Sequence, residues 1–214
     1  MGFILIISLI FQTGLSTIPI NISRLKISMK QEPKWIVCFG NSITAGYGVD
    51  PMEAFPSLIE KRIRDMGKDY KVINAGLSGE TSAGGLTRIN WILKQPVDIF
   101  ILELGGNDGL RGLPLDQTRS NLQGIINKVK IRYPKAKIVV AGMMVPPNMG
   151  ESYSIGFTKI YTDLAKKNHC ILIPFLLEGV GGNPELNQAD GIHPTPKGHM
   201  IVAETVIKAI RKLL

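Results

Sequence analysis

The chain has 214 residues, 44% of them hydrophobic and 20% charged, an ordinary globular composition that suits one medium-sized domain rather than two. At this size about 70% of the unfolded surface can be buried, so neither a disulfide nor a metal is needed for folding. The formal net charge of +8 is spread without a run of five basic residues and without a nucleic-acid-binding motif, so it reads as a solvated basic surface and argues against a nucleic-acid partner.

Residues 2–11 are almost wholly apolar, and small and polar residues follow as far as Thr17. The run resembles the hydrophobic part of a secretory signal with a cleavage point near Ser16, although no Lys or Arg precedes it. It is shorter than the roughly 20 residues that a confident membrane span needs. The expectation is a periplasmic or secreted protein. The alternative is membrane anchoring by an uncleaved segment that reaches Ile20. Residues 1–30 are therefore set apart as a signal or anchor plus linker, and 31–214 as the folded domain.

From Trp35 onward apolar runs alternate with helical patterns. A strand is predicted over 35–39. A helix follows over 54–66, with Phe55, Leu58, Ile59 and Ile63 at helical spacing and Gly67 as its stop. Strand 71–74 precedes helix 84–94, which Pro96 ends. Strand 97–104 precedes helix 114–132, and strand 137–143 precedes helix 153–168. After strand 170–174 the last helix starts at Pro196, with Thr195 as its cap. Short strands rich in Val, Ile, Leu and Phe between helices predict an α/β fold with a five-stranded parallel sheet and helices on both faces. Cys38 and Cys170 lie in strand-like runs and read as small buried hydrophobes, with no disulfide indicated.

Ligands in such folds bind at the carboxyl ends of the strands, so the loops that follow strands are where chemistry is sought. The first holds Gly40-Asn41-Ser42 and presents Ser42 at a strand end; alone, it is equally a helix cap. The second, 74–82, is rich in small residues around Gly79, which on its own reads as a turn. The third, Leu104-Gly105-Gly106-Asn107-Asp108-Gly109, offers the Asn107 amide as a donor for a developing oxyanion; an Asn-Asp turn is the plain alternative. The fourth is Asp190-Gly191-Ile192-His193-Pro194, where Asp190 can hold the His193 imidazole in one tautomer. An Asp cap beside a surface His is its plain counterpart. His169 and His199 are assigned to structure.

Together, Gly40-Asn41-Ser42, Gly79, Gly105-Gly106-Asn107-Asp108 and Asp190-Gly191-Ile192-His193, each at a strand end and in this order, resemble the SGNH or GDSL-type serine hydrolases over residues 35 to about 212. The stretches 104–112, 190–194 and Ile173-Pro174-Phe175 look most like the bacterial periplasmic thioesterase/lysophospholipase, arylesterase-like branch. The resemblance implies a flavodoxin-like three-layer α/β/α sandwich. It implies Ser42 as nucleophile, His193 as base and acid, and Asp190 as its orienting partner. The oxyanion hole would be the N–H groups of Ser42 and Gly79 and the Asn107 amide. No metal and no cofactor is implied. The family usually has Asp where this chain has Asn41; that residue is not the base, so catalysis is expected to survive with altered hydrogen bonds near Ser42.

The expected substrate is a small-molecule ester or thioester: lysophospholipid, acyl-CoA or a simple aryl or alkyl ester. Carbohydrate acetyl esters, or a binding module on the same scaffold, are the competing readings. Substrate-binding residues are expected in two loops, at Gly109 and Leu110 and at Met144, Pro146 and Met149, where adaptable methionines suit an acyl channel. Packing of the second loop on a neighbouring helix is the alternative for it. A monomer is expected, with room for peripheral membrane contact.

Overall fold

The computed structural model describes residues 32–214; the apolar run at 2–11 and the boundary at residue 30 lie outside the described residues. The elements are β1 (Lys34–Gly40), α1 (Ser42–Ala45), α2 (Phe55–Asp65), β2 (Tyr70–Gly76), α3 (Ser82–Ile92), β3 (Ile99–Glu103), α4 (Gly106–Leu110), α5 (Leu115–Arg132), β4 (Lys137–Ala141), a 3₁₀ turn (Pro147–Met149), α6 (Glu151–Asn168), β5 (Ile171–Ile173) and α7 (Pro196–Ile210). The five strands form one sheet in the order β2-β1-β3-β4-β5, and every pairing is parallel.

The strand sequences explain this arrangement. Ile36, Val37, Cys38 and Phe39 of β1 and Phe100 and Ile101 of β3 are all fully buried. Apolar residues on both sides of a strand can be covered only if helices lie on both faces of the sheet. The chain leaves β1 through α2 toward β2, then returns through α3 past β1 to β3. Right-handed crossovers with that reversal place α2 and α7 on one face and α3, α5 and α6 on the other. Accordingly α2 packs on α7, α3 on α5 and α5 on α6. The result is the expected flavodoxin-like three-layer α/β/α sandwich, and its order reverses between β1 and β3.

Cys38 lies in β1 and Cys170 just before β5, three strand positions away. At about 4.8 Å per strand that is about 14 Å, twice the reach of a disulfide, and both thiols are free. His199 is fully buried in α7, where its Nδ1 accepts the Phe55 N–H at 3.3 Å. Burial lowers its pKa to about 4, so it is a neutral core residue. Among the described residues no helix is long and apolar enough to cross a membrane.

Candidate active site

The strand-end loops after β1, β2 and β3 meet the turn before α7 where the sheet order reverses. β1 ends at Gly40 and the chain turns at once into α1. A Cβ on Gly40 would strike the Thr44 hydroxyl and both the carboxylate and the carbonyl of Glu103, so only glycine lets this turn lie against β3. Asn41 caps α1, its Oδ1 accepting the Ile43 N–H at 3.0 Å. Ser42 is the first helical residue, and its Oγ lies 2.9 Å from His193 Nε2.

His193 is held from its own turn. Asp190 Oδ2 is 2.6 Å from His193 Nδ1, and Asp190 Oδ1 accepts the N–H groups of Ile192 and His193, each at 3.0 Å. The hydrogen bond from His193 is the largest of the influences that hold the Asp190 carboxyl down at about 2. Ionised Asp190 can only accept, so Nδ1 carries the proton and Nε2 turns a lone pair to the Ser42 hydroxyl. The Tyr47 ring packs on the imidazole with centroids 4.7 Å apart. Gln188 Nε2 donates to the carbonyls of Tyr47 at 2.7 Å and Pro194 at 3.0 Å, joining the two loops.

Ser42, Gly79 and Asn107, the three residues with candidate donors, line one cleft. The N–H groups of Ser42 and Gly79 donate to no other described group. Gly79 has φ +79, and no neighbour would crowd a Cβ there, so backbone conformation rather than space selects glycine. Asn107 gives one amide hydrogen to the Glu80 carbonyl at 2.9 Å; the amide has two, which leaves one.

Buried carboxylates brace these loops. Glu80 is gripped by Arg88 through two bonds of 2.6 Å, and Arg88 also donates to the Ala75 carbonyl at 2.8 Å and lies over the Phe39 ring. Asp108 accepts from the Ser82 N–H at 2.8 Å and from the hydroxyls of Ser82 and Thr118. Glu103, at the end of β3, accepts from Asn41 and Thr44; burial pushes its carboxyl up to about 7 against the pull of those bonds.

A cleft of about 670 Å³ opens above Ser42, Gly79, Asn107 and His193. Leu110, Met144 and Pro146 line it, as the sequence suggests. Gly109 and Met149 are placed elsewhere. A Cβ on Gly109 would meet Val145 and Phe157 beneath α4, and the Met149 methyl lies toward Gly112. Tyr47, Phe175 and Leu177 also line it, and the sequence did not mark them for that role. The signal for the latter two was the Ile173-Pro174-Phe175 stretch, since it follows a strand.

Residues 38–201 match the GDSL-like Lipase/Acylhydrolase family. The chain is 40% identical over 180 residues to Esterase TesA of Pseudomonas aeruginosa, covering 84% of this chain and 89% of that protein. It is 36% identical over 180 residues to the Thioesterase 1/protease 1/lysophospholipase L1 of Escherichia coli K12, covering 84% of each. Among solved structures, the psychrotrophic esterase EstA from Pseudoalteromonas sp., inhibited by monoethylphosphonate, matches with a TM-score of 0.78 at 31% identity over 84% of this chain and 98% of that one. A parallel sandwich of this kind with these relatives is a serine hydrolase acting on ester bonds. The chain belongs to the GDSL-like lipase/acylhydrolase family.

Proposed function

We propose that Ser42 attacks the acyl carbon of an ester or thioester, with His193 carrying the proton and Asp190 holding the imidazole. The observation that carries this reading is the continuous Asp190–His193–Ser42 hydrogen-bond chain, 2.6 and 2.9 Å, at the floor of a largely apolar cleft. Oγ bonds to the carbonyl carbon as its proton passes to His193 Nε2, and the carbonyl electrons move onto oxygen. The N–H groups of Ser42 and Gly79 and the second Asn107 amide hydrogen receive that oxyanion, a donor of this kind being worth about 10²–10³ in rate. The carbonyl re-forms, the alkoxide or thiolate leaves with the His193 proton, and an acyl-enzyme remains. Water, deprotonated by His193, then releases the acid and restores Ser42. Every proton is accounted for by His193, so the cycle closes without a cofactor.

The walls formed by Leu110, Met144, Pro146, Phe175 and Leu177 support an acyl chain as the bound group, as in lysophospholipid, acyl-CoA or simple aryl and alkyl esters. They favour these over a carbohydrate acetyl ester, whose acyl part would leave most of that surface unfilled. The apolar run at 2–11 supports export to the periplasm or medium. A fluorophosphonate probe on the purified protein tests the reading: labelling and esterase activity are both expected to vanish in Ser42→Ala. Full activity in Ser42→Ala would refute it.

A further inference from the structure

The three carboxylates behind the site differ in what they meet. Glu80 is paired with Arg88, and Asp108 is bound to Ser82 and Thr118. Glu103 is fully exposed to neither solvent nor a cation: it is 0% accessible and among the described residues enters no ion pair. Its Oε1 accepts from Asn41 Nδ2 at 2.7 Å, and its Oε2 accepts from the Asn41 N–H at 3.1 Å and the Thr44 hydroxyl at 2.7 Å. All three donors lie within two residues of Ser42. A buried charge is expensive and an apolar side chain would serve the core better, so the use of this carboxylate is to be sought in the turn it grips.

We propose that Glu103 is a positioning residue for the nucleophile: its carboxylate orients the Asn41 amide and pins the first turn of α1, so that Ser42 Oγ stays directed at His193. This rests on Ser42 being the nucleophile. The Asn41 amide has a donor end and an acceptor end. With Nδ2 on Glu103, Oδ1 faces the Ile43 N–H at 3.0 Å and Ser42 Oγ at 3.4 Å. Reversed, the NH₂ would oppose the Ile43 N–H and donate to the Oγ lone pair that must attack. A neutral acid at 103 has a hydroxyl of its own to place, and one of the three donors loses its acceptor. The titratable groups facing Glu103, Cys38 on β1 and Tyr161 on α6, are both kept neutral by burial.

The test uses Glu103→Gln and the double variant Asn41→Asp/Glu103→Gln, in which a Gln amide donates to an Asp carboxylate and the polarity of the pair is reversed. Steady-state hydrolysis of p-nitrophenyl acetate at about pH 8 is measured beside thermal unfolding. Glu103→Gln is expected to lower kcat about tenfold or more, with KM changed less than about twofold, since a small misplacement of a nucleophile is costly. Its thermal midpoint should not fall. The double variant should recover to within about threefold of the parent kcat. Unchanged kcat in Glu103→Gln, a midpoint that falls along with kcat, or a double variant no better than the single would each overturn the proposal. Ser42→Ala, run in parallel, separates the two readings: activity surviving there removes Ser42 as nucleophile, whereas an inactive Ser42→Ala beside a fully active Glu103→Gln removes only the role of Glu103.

Discussion

At Glu103 the chain keeps an acid where burial opposes its charge, and at Asp190 it keeps one where a partner favours it. The Glu103 carboxyl, raised from 4.5 to about 7, retains in the folded protein a proton that the unfolded chain gives up. Its contribution to stability is therefore full below about pH 4.5 and lost as pH rises through about 7, a change of about 3 kcal/mol. Urea unfolding at pH values on either side of that window should show the parent protein losing stability where Glu103→Gln loses much less. An equal loss in both would mean that another group titrates. Asp190 behaves oppositely: held at about 2, it stays ionised well into acid, so activity lost on mild acidification does not come from Asp190. Asp190→Asn is expected to cost about 10³–10⁴ in kcat, because an amide facing Nδ1 can present its N–H there and favour the wrong tautomer. Fluorophosphonate labelling kinetics should fall in parallel.

Elements decide how firmly these side chains are presented. Thr195 accepts the Gly198 N–H at 3.3 Å and Pro196 opens the helix, so α7 starts three residues after His193. Thr195→Ala should cost about 1 kcal/mol of stability, as lost caps do. It should leave kcat nearly unchanged, because His193 is fixed by Asp190 and by its own carbonyl accepting the Gln188 N–H at 2.7 Å. A large kcat loss would show that the cap also sets the ring. The strands and long helices were legible in the sequence because each carries its own period and its own stop. Helix α4 was not: Gly106-Asn107-Asp108-Gly109 has the composition of a turn, and its Asp108 is held by a tertiary bond that it accepts from the Ser82 N–H, 26 residues away. The site divided along the same line. As candidates, Ser42, Gly79 and Asn107 were legible from their places after strands, and Asp190 and His193 from their spacing in the turn before the last helix rather than at a strand end. Glu103 was not, since its partner Asn41 lies 62 residues away and nothing local in Ile-Phe-Ile-Leu-Glu marks which donors it meets.

For the whole molecule, reversal of sheet order between β1 and β3 leaves a crevice that no crossover covers, and the loops after β4 and β5 build it into a one-sided apolar wall. With the acyl chain placed in the cleft as proposed, acyl length is the property this wall would read. Each methylene buried against the wall is worth about 0.8 kcal/mol, or about fourfold in kcat/KM, so preference should rise with chain length until the cleft is filled. Met144 stands half exposed on this wall, where a charge can be tolerated by the fold but would spoil the surface for a chain. Met144→Glu is expected to lower kcat/KM for p-nitrophenyl decanoate about tenfold more than for the acetate, a difference of two or so methylenes' worth of contact. Met149→Glu, in the same loop but directed toward Gly112, should change both esters alike. The pair of variants separates position from composition: equal losses on both esters in Met144→Glu would mean that the chain runs elsewhere, and a chain-length effect in Met149→Glu would mean that the 3₁₀ turn closes over the cleft when substrate binds.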